Sequence, residues 1–210
     1  MTAADYARPD SLPQALRLLA GGGWRVLAGG TDLYPGAGAT LAGPVMDLTG
    51  VAGLAGISSD GQGLRIGAAT SWATLAEATL PAALLALQQA ARQVGGRQVQ
   101  VAGTLGGNLC NASPAADGVP PLLVLGAEVE LASATGTRRL PLQRFLCGPR
   151  QTDLRPGEVM TAVLIPARGL QGRSAFEKLG ARRHLVISIA MVAARLVVAD
   201  GRLVDVAIAA

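Results

Sequence analysis

Two short stretches of the 210-residue chain gather the residue types that can hold a phosphate: LAGGTDL at 27–33 and AGTLGGNLCNASPAAD at 102–117. Backbone N–H groups reach a pyrophosphate only where side chains do not block the approach, which selects Gly, Ala, Ser and Thr. The first stretch has that composition. A lone Gly29-Gly30 pair among 28 glycines is ordinarily a turn, however, and it lacks the GxGxxG spacing of a Rossmann fingerprint. The second stretch adds Thr104, Asn108, Asn111, Ser113 and Asp117. Hydroxyl, amide and carboxylate groups at this density suit phosphates and sugar hydroxyls. The same composition also describes an Asx-rich surface loop. Leu105, Leu109 and Val119 would tie such a loop to a core.

Other chemistries find little support. The sole histidine, His184, has no Ser or Cys nucleophile motif beside it and reads as a structural or rim residue. No catalytic triad or carboxylate pair is visible. Cys110 and Cys147 stand far apart in no CxxC or Cys/His cluster, so the chain encodes neither a metal site nor an iron-sulfur cluster. Of 18 basic residues only Lys178 is lysine, and the net charge is +4. The arginines are scattered, with pairs only at Arg138-Arg139 and Arg182-Arg183, and aromatic residues are 3% of the chain. Both features argue against nucleic acid.

These residues need elements to position them. Half the chain is apolar, enough for one domain or two joined subdomains. Ser11, Pro13 and leucines at 12, 16 and 19 predict a short amphipathic helix ended by Gly21–Gly23. A strand follows from Trp24 into the first glycine stretch, and PVMDL at 44–48 and GLRIGAAT at 63–70 read as strands, with a hairpin-like turn between 58 and 63. TSWATLAE begins a helix, and Pro81 opens another that stops at Gly95-Gly96. A long loop is expected over 103–121, then a helix or apolar run followed by a hairpin to about residue 142. EVMTAVLIP, SAFEKLG and two β-branched runs split at Asp200-Gly201 complete an α+β reading rich in antiparallel strands. The N-terminus lacks a signal-peptide layout and no apolar run spans a membrane, which places the chain in the cytoplasm.

Taken together, AGGTDL and TLGGNLCNASPAAD resemble the FAD-binding signatures of the flavin subunits of molybdopterin dehydrogenases, the xanthine dehydrogenase and carbon monoxide dehydrogenase type. GAATSWATLAE, ARQVGGRQVQVAGT and FEKLGARRHLVISIAMVAARL resemble the same family, so the likeness covers nearly the whole chain.

The resemblance implies a PCMH-type FAD-binding fold in two subdomains over 1–170, parting near residue 54, then the start of a C-terminal antiparallel-sheet domain over 171–210. Relatives continue past the position of Ala210, so this end reads as a truncation, a shortened gene product or a frameshifted remnant. It implies that Leu27, Ala28, Gly29, Gly30, Thr31, Asp32 and Leu33 cradle the FAD pyrophosphate, with Thr31 adding a hydroxyl and Asp32 bracing the loop. Thr104, Leu105, Gly106, Gly107 and Asn108 form a second clamp. Asp117 bonds sugar hydroxyls or fixes the loop, Val94 lies beside the flavin, and Met160 sits on a pocket-lining strand. Lys178 is either a cation near the flavin or a plain surface residue. No residue is expected to be catalytic, since the flavin carries the redox chemistry.

Electrons would pass from a molybdopterin-binding large subunit through the 2Fe-2S clusters of a small subunit to FAD, and on to NAD, a quinone or oxygen, in a heterotrimer. Two other readings stay open: a stand-alone oxidoreductase of the vanillyl-alcohol oxidase fold group, and a scaffold that has lost its cofactor.

Overall fold

The computed structural model describes residues 6–37, 41, 43–182 and 186–210. Strand β1 (Tyr6–Ala7) leads to helix α1 (Leu12–Ala20), whose apolar spacing buries Ala15 and Leu19. Ser11 stands extended at its start without a side-chain cap bond. Gly22 and Gly23, both at positive φ, end it in a conformation that side chains resist. Strands β2 (Arg25–Leu27) and β3 (Val45–Asp47) join β1 in a parallel sheet of order β1-β3-β2, with α1 packed on Met46 and Leu48.

The hairpin of β4 (Ile57–Asp60) and β5 (Gly63–Gly67) opens the second sheet. Helices α2 (Trp72–Glu77), α3 (Leu85–Gln93), α4 (Arg97–Ala102), α5 (Leu105–Asn111) and α6 (Val119–Val124) follow. Next come β6 (Glu128–Ser133), β7 (Gly136–Pro141), the short α7 (Leu142–Phe145), a small hairpin of β8 (Leu146–Gly148) and β9 (Gln151–Thr152), and β10 (Val159–Pro166). The antiparallel order β4-β5-β10-β6-β7 places β10 at the centre. Its apolar face, with Ile66, Val129 and Val163, meets Trp72, Leu87, Leu105, Leu109 and Leu122 in the main core. Each such side chain contributes roughly 1.5–3 kcal/mol on burial.

A third sheet, β11 (Arg173–Leu179), β12 (Ala190–Ala199) and β13 (Arg202–Ala209), packs on α3 and α6 through Phe176 and Ala193. Asp200 and Gly201, with φ of 50° and 71°, make the expected hairpin turn. Among the described residues no helix is long and apolar enough to cross a membrane.

Two local expectations are corrected. The helix predicted from Pro81 is divided into a 3-10 turn at Ala82–Leu84 and α3. The loop expected over 103–121 contains α5 and the start of α6. Gly, Asn and Thr are poor helix formers, and tertiary packing overrides them here: Leu105 and Leu109, four residues apart, are both fully buried. His184 lies outside the described residues.

One side chain fastens the third sheet to the second unit. Ser174 Oγ accepts from the Ala86 N–H at 2.9 Å and donates to the Ala83 carbonyl at 2.6 Å, all of it buried. Ser174→Ala leaves both groups without that partner and is expected to cost about 1–3 kcal/mol in denaturant-monitored unfolding; an unchanged midpoint would show that this bond does not hold the sheet.

Candidate functional site

The first glycine stretch leaves β2 and turns at Gly30, whose φ of 70° admits glycine most readily. The Tyr34 N–H then bonds the Gly30 carbonyl and the Gly36 N–H bonds that of Asp32, so residues 31–36 coil into helical turns. The leading N–H groups of such a turn point away from its own carbonyls.

Gly29 is required for a reason that sequence composition did not suggest. A Cβ there would collide with the Ala102 carbonyl, which the two backbones leave no room for. Gly106 is likewise pressed on Ala68, where a Cβ would come within 2.8 Å of the carbonyl oxygen. These glycines serve contact between chain segments.

The second stretch uses up its own amides. Leu105 and Gly106 donate to the Thr70 and Ala68 carbonyls at 3.0 and 2.8 Å, and Gly107 donates to Thr104 Oγ1 at 3.1 Å. Asn108 N–H starts the helix on the Thr104 carbonyl. What α5 presents is therefore side chains and a bare Gly107.

Between these segments lies a cleft of about 870 Å³, closed off by the start of β10, Val94–Gly96 and the rim residues Val186 and Ile187. This is near the upper end of small-molecule sites. Of the sequence-predicted residues, Leu27, Ala28, Gly29, Gly30, Thr31, Asp32, Leu33, Val94, Thr104, Gly106, Gly107, Asn108, Asp117 and Met160 all line it. Leu105 does not: it is fully buried in the core beneath. Lys178 does not line it either, and it is no surface lysine, since its side chain is 5% exposed. It stands behind Asp117, bonding the carboxylate at 2.6 Å, while Ser188 donates to the other oxygen at 2.6 Å.

Each carboxylate on the cleft wall is compensated. Asp117 has Lys178. Glu158 has Arg138, which bonds both its oxygens at 2.7 and 2.8 Å and reaches Asp153 at 2.7 Å. Asp32 accepts from Asn111 Nδ2 at 2.7 Å, and the Asn111 Oδ1 in turn accepts from Arg150. Sequence reasoning missed Arg150 and Glu158 as lining residues; nothing local marks them, because Glu158 meets its partner Arg138 from β7 and the β8–β9 turn carries Arg150 to Asn111 of α5.

Residues 2–168 match the family model described as the FAD binding domain in molybdopterin dehydrogenase. The chain belongs to this family. The chain is 36% identical over 185 residues to the alpha subunit of the 6-hydroxypseudooxynicotine dehydrogenase complex of Paenarthrobacter nicotinovorans, a match covering 86% of this chain and 62% of that one. It is 34% identical over 180 residues to the carbon monoxide dehydrogenase medium chain of Afipia carboxidovorans, covering 83% and 62%. Its fold matches reconstituted CO dehydrogenase from Oligotropha carboxidovorans with a TM-score of 0.89 at 33% identity, over 98% of this chain and 73% of that one. The chain thus spans less than two thirds of the length of the first two relatives.

Two outcomes follow from the site. The hydrogen bonds from Arg138 hold the Glu158 and Asp153 carboxyls below their ordinary range. A carboxyl lowered in the folded state adds stability that is complete above its unfolded pKa and is lost as pH falls through the folded one. Melting temperature should fall on acidification below about pH 4.5, and Arg138→Gln should lower it at neutral pH while flattening that acid limb; parallel curves would overturn the assignment. Burial pushes the cleft-lining Cys110 thiol up to about 12, while Cys147 is exposed. A thiol reagent at pH 8 should label Cys147 alone in the folded protein and both cysteines in urea, as read by mass spectrometry.

Proposed function

We propose that the cleft holds one FAD and that the chain is the flavin-binding part of a molybdenum-containing dehydrogenase or hydroxylase. The observation that carries this reading is a buried acceptor without a partner. Asn108 Oδ1, on the cleft wall, has no hydrogen-bond partner among the described residues. An orphaned buried oxygen costs about 1–3 kcal/mol, which a donor on a bound ligand would offset. The cleft volume, the glycine backbone of the first stretch and the paired carboxylates fit a large, doubly charged dinucleotide.

In this reading the turn at 28–33 offers its N–H groups to the diphosphate, with the Thr31 hydroxyl beside them. Thr104 and Asn108 supply a hydroxyl and an amide from the second stretch. Asp117, with both oxygens already receiving bonds, keeps lone pairs for a sugar hydroxyl. Val94 and Met160 are apolar wall against the ring. Lys178 acts through Asp117, holding a negative charge at the cleft instead of placing a positive one there. When bound, the flavin supplies the redox chemistry, accepting and releasing electrons in one- or two-electron steps; the chain's residues bind it, orient it and set its surroundings.

The reading extends to partners and place. Molybdopterin and 2Fe-2S clusters belong on separate large and small subunits, electrons leave for NAD, a quinone or oxygen, and the assembly is cytoplasmic. The division at residues 54 and 170 is proposed on the same basis, the three sheets falling in successive stretches of chain.

Titration of the purified chain with FAD tests the core of this. Stoichiometric uptake is expected, with Asn108→Ala weakening it by roughly tenfold, about one hydrogen bond's worth. A colourless protein that takes up no added FAD would favour a scaffold instead.

A further inference from the structure

Arg150 is one of three described non-glycine residues at positive φ, at 58°. It stands in the turn between β8 and β9, and its backbone N–H bonds the Ala112 carbonyl at 2.8 Å. Ala112 is the left-handed cap of α5, with φ of 45°. The hairpin is therefore tied to the end of the second glycine stretch in a conformation that glycine would adopt more easily. Arginine at such a position needs a reason in its side chain.

That side chain lines the cleft and bonds Asn111 Oδ1, a neutral amide oxygen. Asn111 faces Asp32 with its other end, at 2.7 Å. The amide thus separates the guanidinium from the carboxylate instead of letting them neutralise one another by contact. Lys178 and Arg138 touch their carboxylates directly. Arg150 does not, and a guanidinium carries five N–H donors in a planar fork suited to phosphate oxygens.

We propose that Arg150 is an anion clamp for the diphosphate of the cofactor, held at the cleft mouth by Asn111 and offsetting the repulsion that Asp32 exerts on the same group. The proposal rests on the FAD reading above and assigns a cleft-lining cation that bonds the second glycine stretch and reaches the first through Asn111. It gives Asp32 a defined position: close enough to brace α5 through Asn111, with its charge countered by the guanidinium on the other side of that amide.

The test exploits the backbone. Arg150→Gly removes the cation and relieves the left-handed residue, so the variant should melt no lower than wild type. Its FAD dissociation constant should rise about five- to tenfold, the scale of one solvent-accessible charge-assisted hydrogen bond. The salt dependence of FAD binding should flatten, because screening acts on the lost charge. Arg150→Lys, which keeps the charge but not the planar fork, should recover the salt dependence and only part of the affinity. Arg202→Gly, an equal change of net charge on the exposed start of β13, should change none of these. Unaltered FAD affinity and salt dependence in Arg150→Gly would overturn the clamp alone. Wild-type protein that fails to bind FAD would remove the cofactor reading and the clamp with it. Equal weakening by Arg150→Gly and Arg202→Gly would show a general charge effect and also overturn it.

Discussion

The backbone of Gly29 lies against the Ala102 carbonyl with no space for a side chain between them, and the geometry of the cleft depends on that contact. It brings the loop between β2 and β3 onto the end of α4. From there the chain passes directly into α5, whose first two amides hang on Thr70 and Ala68 at the end of β5. The Ala68 N–H is itself bonded to Thr161 of the central strand β10 at 3.0 Å. Four segments far apart in sequence are thus locked by backbone hydrogen bonds and steric contact, the two kinds of interaction that tolerate least displacement. A ligand bridging both glycine stretches meets walls whose separation is set before it arrives, which lowers the ordering cost of binding.

The electrostatics follow from this frame. Acidic groups in a site for a diphosphate are a liability, since a like charge nearby disfavours binding. Among the described residues three of them line the cleft, in two arrangements. Glu158 and Asp117 are neutralised by cations reached through the fold, one from β7 and one from β11. Asp32 has an amide between it and its cation. The carboxylates can then act as acceptors that fix neighbouring elements, with little net charge presented to the cleft.

Much of this was legible in the chain. Strand and helix order and the Asp200-Gly201 hairpin followed from apolar periodicity and turn residues, while the residues that line the cleft were named through the family resemblance that two distinctive stretches carry. The failures share a cause. Gly106, Gly107 and Asn108 have loop propensities, and only the burial of Leu105 and Leu109 against the second sheet makes them helical. Lys178 looks like a cation free to face a ring until the fold sets Asp117 beside it, 61 residues away in sequence. Arg150 carries no local mark, because a residue's φ is not written in its type. Local patterns report elements and composition; the pairing of charges across the fold is a tertiary fact.

The third sheet's tie to the cleft runs through that same Asp117. Its carboxylate receives Lys178 from β11 and Ser188 from the segment before β12, while the residue itself lines the cleft. A buried ion pair gains little stability over apolar packing, but losing one partner leaves an uncompensated charge, so the pair specifies position more than it strengthens the fold. Ile187, 79% exposed, sits at the rim beside Ser188. A hydroxyl bound to the remaining lone pairs of Asp117 would share the carboxylate with two donors from the third sheet. Occupancy of the cleft by such a hydroxyl would therefore be linked to the placement of that sheet through one side chain.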